Sequence, residues 1–175
     1  MTRIILIGYM GAGKTTIGRA LAKELGIPFY DLDWYIESRH RKTVAQFFEE
    51  KGEEAFRRTE HNMLHEVAEF EDVVISCGGG TPCFFDNMDY MNRQGQVVYL
   101  KASAQVLLQH LQMARTERPL LKGKSEEQLK AFIEEQLKAR EPYYNKAQYI
   151  LDISLMDNHE KIMSTIERLR QMLGI

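Results

Sequence analysis

Residues 4–16 read Ile4-Ile5-Leu6-Ile7-Gly8-Tyr9-Met10-Gly11-Ala12-Gly13-Lys14-Thr15-Thr16, and the type of fold follows from them. The first four residues are apolar and predict a buried strand, and the next eight match the pattern G-x-x-x-x-G-K-[ST]. A helical pattern follows over residues 17–25. The motif therefore has the strand, loop and helix context of a phosphate-binding loop, with an ordinary glycine-rich turn as the alternative.

The rest of the chain continues this alternation of strand and helix. Apolar runs predict further strands at residues 29–32, 73–76, 97–100 and 149–153. The first four of the five strands are continuous apolar runs, which is typical of strands that are covered on both faces in a parallel sheet. We therefore predict a three-layer α/β fold with right-handed crossovers.

Capping patterns predict where several helices begin and where the first one ends. A capping residue stands three positions before Gln or Glu at Thr43, Ser125 and Asp157, and each of these pairs predicts a helix start. Gly26 follows the first helical pattern and predicts its end, because glycine readily adopts the left-handed conformation that closes a helix.

Size and charge exclude several classes of protein. With 175 residues, the chain has the length of one domain. Its 23 basic and 25 acidic residues give a net charge of −2, so the surface as a whole does not attract nucleic acid or an anionic membrane. No membrane-spanning apolar run and no export signal are indicated. We expect a cytoplasmic monomer that binds neither nucleic acid nor membrane, with Cys77 and Cys83 as reduced thiols.

The motif predicts the binding of a nucleoside triphosphate with Mg²⁺. Its glycines allow backbone N–H groups to point at phosphate oxygens, Lys14 reaches the β- and γ-phosphates, and the Thr15 hydroxyl ligates Mg²⁺. The strand at residues 73–76 ends without the carboxylate that usually gives the metal its second support. Another carboxylate has to replace it.

Two candidates for that carboxylate stand at the predicted end of the second strand. Asp31 and Asp33 flank Leu32, and the two-residue period of a strand places them on the same side. We assign Asp31 to the water shell of Mg²⁺ and Asp33 to the phosphoryl acceptor. Alternatively, one of the pair only caps the helix that begins near Trp34.

Arg57 and a run of three glycines are candidates for an acceptor site. Arg57 lies three residues before Glu60 on a predicted helix at residues 53–68, where it and Arg58 face either a ligand or solvent. An exposed ion pair between Arg57 and Glu60 would contribute little. The glycines at residues 78–80 follow a buried strand, where they either admit a ligand close to the backbone or form a turn.

Three further arginines suggest the chemistry of the acceptor. Arg115 and Arg118 lie in a polar loop, from which an arginine can be brought over the transferring phosphate, and Arg140 ends the following helix. Arginine forks suit a carboxylate, whereas Asp33 suits hydroxyl groups. The acceptor is therefore predicted to be a small hydroxy acid.

His61 and His65 lie four residues apart on the predicted helix at residues 53–68. No third metal ligand is evident near them in the sequence. We therefore predict that these histidines are structural or solvated.

Several of these motifs, in this order along the chain, resemble those of the shikimate kinase family. The resemblance covers nearly the whole chain and rests on the phosphate loop with Gly18, Asp31-Leu32-Asp33, Phe56-Arg57 with Glu60, Gly78-Gly79-Gly80, Arg118-Pro119-Leu120-Leu121, and Arg140 with Tyr143. It implies a P-loop kinase fold with a five-stranded parallel sheet flanked by helices. The implied reaction is the ATP-dependent phosphorylation of the 3-hydroxyl of shikimate to shikimate 3-phosphate, in aromatic amino-acid biosynthesis.

The resemblance also implies roles for individual residues. The residues similar to shikimate binders are Asp33, Arg57, Gly79 and Arg140. The residues similar to ATP binders are Gly11, Ala12, Gly13, Lys14, Thr15, Thr16, Arg115 and Arg118, of which Arg115 stacks on adenine. Catalysis is assigned to Lys14, Asp33 and the lid residue Arg118. The whole chain is then one kinase domain, with a core at residues 1–33, 69–113 and 124–175, a substrate-binding insertion at 34–68 and a lid at 114–123.

Two other functions have to be weighed against this prediction. A gluconate-type sugar-acid kinase shares the phosphate loop and an acidic pair, but the motif from Phe56 to Glu60 and the glycine run argue against it. A nucleotide-binding regulatory module without turnover is consistent with the loop alone, but Asp33 and the lid arginines fit it poorly.

Overall fold

The computed structural model describes residues 1–114 and 123–175. Within them, five strands form one parallel sheet in the order β2-β3-β1-β4-β5. The strands are β1 (Arg3–Ile7), β2 (Phe29–Asp31), β3 (Val73–Ser76), β4 (Gln96–Lys101) and β5 (Tyr149–Asp152). The five predicted strands are confirmed, and each predicted end lies within one residue of the observed one.

Helices fill the intervals between the strands. They are α1 (Lys14–Leu25), α2 (Leu32–His40), α3 (Val44–Val67), α4 (Asn87–Gln94), α5 (Ala104–Met113), α6 (Glu126–Tyr144) and α7 (His159–Leu173), with a 3₁₀ turn at Thr81–Cys83. Helix α3 is interrupted at Gly52, whose φ of 85° and ψ of 171° are not helical. It therefore consists of two helical segments joined at a glycine.

Most of the predicted helix boundaries are confirmed. Thr43 and Ser125 both form reciprocal capping boxes, and Gly26 closes α1 in the left-handed conformation. The prediction at Asp157 is wrong by one residue. Asn158 caps α7 through its Oδ1, which accepts the Lys161 N–H at 2.9 Å, while the Asp157 carboxylate pairs with the Lys161 ammonium.

Two apolar cores, one on each face of the sheet, confirm the three-layer prediction. Alternate residues of a strand enter opposite cores, so Ile4 and Leu6 pack with α1, α5 and α7, whereas Ile5 and Ile7 pack with α3 and α4. All four side chains are fully buried. The continuous apolar run of β1 thus reflects coverage on both faces.

The topology brings three loops to one edge of the sheet. Strand β3 lies between β2 and β1, and all three run in the same direction. Their carboxyl ends therefore carry, side by side, Asp31, the glycines at residues 78–80 and the phosphate-binding motif. Ligands of open α/β sheets bind at this edge. Among the described helices, none is both long and apolar enough to cross a membrane.

Candidate active site

The phosphate-binding motif forms a tight curl between β1 and α1. Gly11 and Gly13 have φ angles of 86° and 96°, in the left-handed region that favours glycine, and the Ala12 N–H donates to the Tyr9 carbonyl at 3.1 Å. A Cβ atom at Gly13 would lie only 2.4 Å from Cε of Met156. This curl leads directly into the N-terminus of α1, as a phosphate cradle requires.

Lys14, the first residue of α1, turns back over the curl. Its ammonium donates to the carbonyl oxygens of Gly8 at 2.6 Å and Tyr9 at 3.0 Å. Thr15 and the exposed Thr16 follow in the same first turn, where helix N–H groups have no partner within the helix. The residues predicted to bind triphosphate are therefore neighbours at one helix terminus.

His110 of α5 supports the curl from behind, and no pattern in the sequence indicated this. Its Nδ1 lies 2.7 Å from the Gly11 carbonyl, and its Nε2 accepts the Met156 N–H at 2.9 Å. A carbonyl only accepts and an amide only donates, so these partners fix a neutral ring with its proton on Nδ1. His110 thus ties the phosphate loop to the segment that follows β5.

Asp31 caps α2, as the alternative reading of the pair predicted, and its second oxygen contacts Thr15. Its Oδ1 accepts the Trp34 N–H at 3.1 Å and caps α2, while its Oδ2 accepts the Thr15 hydroxyl at 3.3 Å. The strand argument that placed Asp31 and Asp33 on one side is wrong, because β2 ends at Asp31 and Leu32 already begins α2. Asp33 is instead presented by the first turn of that helix.

The Asp33 carboxyl is partly buried at the centre of the site. Burial and, to a smaller extent, the carboxylates of Asp31 and Glu60 raise its pKa to about 7, although the Lys14 ammonium acts in the opposite direction. A side chain with a pKa close to the working pH can both lose and accept a proton there. Asp33 therefore has the ionisation behaviour that suits a general base.

The three successive glycines after β3 each lie against a different functional side chain. A Cβ atom on Gly78 would be 3.2 Å from Oδ1 of Asp33, and one on Gly79 would be 3.0 Å from Nη1 of Arg140. A Cβ atom on Gly80 would be 2.6 Å from Nη2 of Arg57. A carboxylate and two guanidinium groups therefore converge on a backbone segment that has no room for side chains.

Arg57 is held by a buried ion pair and not by the weak surface pair that its spacing suggested. Its side chain is 12% exposed and that of Glu60 only 1%, with Nη1 and Oε1 3.0 Å apart. The second oxygen of Glu60 accepts the Thr81 hydroxyl at 2.8 Å. The adjacent Arg58 is 68% exposed and pairs with Glu54. Of the two arginines, therefore, Arg58 faces solvent and Arg57 does not.

The donors of Arg57 are not all used within the protein. Its Nε is buried and lies 3.6 Å from Oε1 of the exposed Glu53, but it has no hydrogen-bond partner in the part of the chain that the structure describes. The guanidinium also lies 4.3 Å from the ring centre of Phe84, which limits its movement. Arg57 is thus fixed in position with a donor available, as expected for a residue that binds an anion.

Two tyrosines that the sequence analysis did not identify contact Arg140 and the neighbouring Gly79. The Arg140 guanidinium lies 5.5 Å from the ring centre of Tyr9, and the Tyr144 hydroxyl donates to the Gly79 carbonyl at 2.5 Å. Tyr9 occupies a variable position of the motif, so the motif pattern does not single it out. Tyr143, which carried part of the resemblance, is exposed. Arg115 and Arg118 lie outside the described residues.

An anion cradle beside a carboxylate and two fixed arginines suits phosphoryl transfer to a small acidic alcohol. The fold and the site therefore define a P-loop small-molecule kinase. A family model described as shikimate kinase matches residues 10–170. The shikimate kinase of Bacteroides fragilis is 54% identical over 175 residues, which are 100% of this chain and 98% of that protein. The chain belongs to the shikimate kinase family.

Solved structures lead to the same conclusion. The crystal structure of shikimate kinase from Bacteroides thetaiotaomicron has a TM-score of 0.97 and 52% identity, and the match covers 99% of both chains. Shikimate kinase from Acinetobacter baumannii in complex with shikimate has a TM-score of 0.82 and 33% identity, covering 99% of this chain and 94% of that one. The chain is a kinase that phosphorylates shikimate with ATP, which confirms that prediction over the two alternatives.

Proposed function

We propose that Asp33 binds the 3-hydroxyl of shikimate and accepts its proton, while Arg57 and Arg140 bind the shikimate carboxylate beside Gly79. The convergence of these three side chains on the glycine run carries the proposal. Planar guanidinium groups bind carboxylates through paired hydrogen bonds, and both arginines are fixed by neighbouring aromatic rings. The acceptor hydroxyl then lies between Asp33 and the phosphate loop.

The nucleotide is proposed to bind on the other side of that hydroxyl. The backbone N–H groups of residues 11–16 and the Lys14 ammonium would contact the β- and γ-phosphates, since the curl and the start of α1 present them together. Arg118 would stabilise the transferring charge and Arg115 would stack on adenine. These two assignments rest on the family resemblance alone.

Mg²⁺ is the cation that the site fits. The Thr15 hydroxyl and the Asp31 carboxylate are 3.3 Å apart next to the phosphate loop, and hard oxygen donors are the ligands that Mg²⁺ prefers. Thr15 would bind the ion directly and Asp31 through water. A bound Mg²⁺ neutralises charge on the terminal phosphates during transfer.

The remaining predictions concern organisation and setting. Residues 34–68, which contain most of α2 and all of α3, would form the substrate-binding insertion, since they supply Arg57. Residues 114–123 would form the lid. We further propose that the protein is a cytoplasmic monomer. Its net charge of −2 supports the proposal that it binds neither nucleic acid nor membrane.

The test is ADP release measured with shikimate, with gluconate and without an acceptor. Only shikimate should support turnover, and Asp33→Ala should lower kcat by about 10²- to 10⁴-fold, the contribution of a general base. Arg57→Ala should mainly raise KM for shikimate. Arg58→Ala is the matched control, because Arg58 is the exposed neighbour, and it should behave as wild type.

Two results would contradict the proposal. Unchanged turnover in Asp33→Ala would show that Asp33 is not the general base. An equal change in KM for shikimate in Arg57→Ala and Arg58→Ala would show that Arg57 does not bind the shikimate carboxylate. Magnesium is tested separately by replacing Thr15 with Val, which should raise the Mg²⁺ concentration needed for half-maximal activity.

A further inference from the structure

We propose that His61, His65 and Asp86 form a Zn²⁺ site on the surface formed by α3 and the turn before α4. One ligand atom from each residue lies within 4.8 Å of the other two. The two histidines are four residues apart on a helix, which places both rings on one face, the spacing that helical zinc sites use. Asp86 is the third ligand that the sequence did not reveal, since it lies 21 residues beyond His65 in the chain.

The hydrogen bonds around His61 orient its ring as in a metal ligand. Its Nδ1 lies 2.7 Å from Oδ1 of Asn87, and the Asn87 amide nitrogen donates to the Thr81 carbonyl at 2.9 Å. That second bond orients the Asn87 amide, so its oxygen faces His61 and can only accept. Nδ1 of His61 is therefore the donor, which leaves Nε2 as the ring nitrogen that can bind a metal ion.

This arrangement corresponds to the outer shell of natural zinc sites. A ligating histidine usually donates its other ring N–H to a carbonyl or carboxylate, which fixes the orientation of the ring. Asn87 fills this role here, and its side chain is fully buried at 0% exposure. The Asn87 side chain that orients His61 is therefore held in place by the surrounding core.

His65 is also fixed in place with an unused nitrogen. Its ring stacks on Tyr90, with ring centres 3.6 Å apart and planes 12° from parallel. Nε2 of His65 is buried and has no hydrogen-bond partner within the described residues. The ring is therefore oriented by packing, and its hydrogen-bonding capacity is not consumed by the protein.

Asp86 supplies the negative charge. It stands at the position before α4 where aspartate commonly caps a helix, but its side chain makes no capping hydrogen bond. Within residues 1–114 and 123–175, its one ion pair is with Arg93, and this pair is exposed and long at 4.0 Å. The carboxylate is therefore available to a cation.

The donor set selects the ion. Two imidazole nitrogens and one carboxylate, completed by water, are the ligands of tetrahedral Zn²⁺, whereas Mg²⁺ prefers oxygen donors. The proposed site is separate from the Thr15 and Asp31 pair and shares no residue with the acceptor site. Zn²⁺ bound here is consequently expected in addition to Mg²⁺ and not in place of it.

The experiment is a calorimetric titration of Zn²⁺ into the full metal-free chain, in buffer that contains excess Mg²⁺. The wild type should bind one Zn²⁺ at this site. His65→Ala and Asp86→Asn should each weaken that binding by at least about tenfold, the lower end of what the loss of an orienting partner costs a metal site. His159→Ala is the matched control, since His159 is exposed at the start of α7, and its affinity should equal that of wild type.

Melting curves without metal identify a variant that fails to fold. If His65→Ala fails to fold because it loses the stacking on Tyr90, the test of Zn²⁺ binding rests on Asp86→Asn, whose substitution is at an exposed position. Wild-type affinity in a folded Asp86→Asn variant, or no Zn²⁺ binding by the wild type, overturns the proposal. A second readout is the ¹⁵N NMR signal of the His61 ring, in which Nε2 and not Nδ1 should shift on addition of Zn²⁺.

Discussion

Replacing Gly80 by alanine should damage shikimate binding without damaging the fold. Gly80 has a φ of −91°, which alanine adopts without strain, but the new Cβ would lie 2.6 Å from Nη2 of Arg57. Ordinary contact begins at 3.4 Å, so the guanidinium has to move by the difference of 0.8 Å. A displacement of about 1 Å in a group that positions substrate can cost about 10²-fold. We expect a loss of this order in kcat/KM for shikimate.

The neighbouring glycines provide a graded series for this argument. None of the three has a positive φ. In Gly79→Ala, the new Cβ would lie 3.0 Å from Nη1 of Arg140, so that atom has to move by 0.4 Å. In Gly78→Ala, the new Cβ would lie 3.2 Å from Oδ1 of Asp33, which has to move by only 0.2 Å. The loss in kcat/KM should therefore be largest at Gly80 and smallest at Gly78.

Shikimate titrations at saturating ATP, followed by ADP release, measure the effect, and thermal melts of the same samples report on the fold. Gly174→Ala serves as the control, because Gly174 ends α7 with φ at 72° and open space around it. It should lower the melting temperature while leaving KM for shikimate unchanged. Wild-type kcat/KM in a folded Gly80→Ala variant would refute the reasoning, since Arg57 would then not need its present position.

Three further predictions test the groups around the glycine run. Burial raises the pKa of Asp33 to about 7 in the folded chain, so its ionisation destabilises the fold as pH rises from about 4 to about 7. In EDTA, Asp33→Asn should therefore melt increasingly above wild type over that interval, and a constant difference would contradict this. Glu60→Ala leaves the buried Arg57 charge with only the longer 3.6 Å contact to the exposed Glu53, and should lower the free energy of unfolding by up to about 3 to 5 kcal/mol in urea titrations. Glu54→Ala, which breaks the exposed Arg58 pair, should change it by less than about 0.5 kcal/mol. His110→Ala should raise KM for ATP more than KM for shikimate, and His110→Gln, which keeps a donor and an acceptor, should be milder.

The fold was predictable because its signals are local. The apolar runs of β1 and β3 have only one stable environment, a sheet covered on both faces, and the motif at residues 8–15 joins a strand to a helix in a single way. Helix starts were predictable where one capping residue stood alone. At α7 two candidates, Asp157 and Asn158, are adjacent, and the sequence offers no reason to prefer the second.

The site was predictable only in part, because its side chains are held by contacts between residues that are far apart in the sequence. The spacing of Arg57 and Glu60 is that of an ordinary surface pair, and only the packing of Phe84 and Thr81 over it makes it buried. His110 acts on the phosphate loop across 99 positions of sequence, through a contact that no spacing rule describes. Such partners are determined by tertiary packing and not by their own neighbours in the chain.

Asp31 shows that one residue can cap a helix and also take part in a functional site. Because its Oδ1 caps α2, that helix begins immediately after β2, and its first turn carries Asp33 to a position beside Gly78. A longer strand would have continued the two-residue alternation and given Asp33 a different direction. The capping bond, which the sequence offered as the alternative to function, is thus what orients the proposed base. The other oxygen of Asp31 remains available to the Thr15 hydroxyl, so one carboxylate positions the acceptor side and the proposed metal side of the site together.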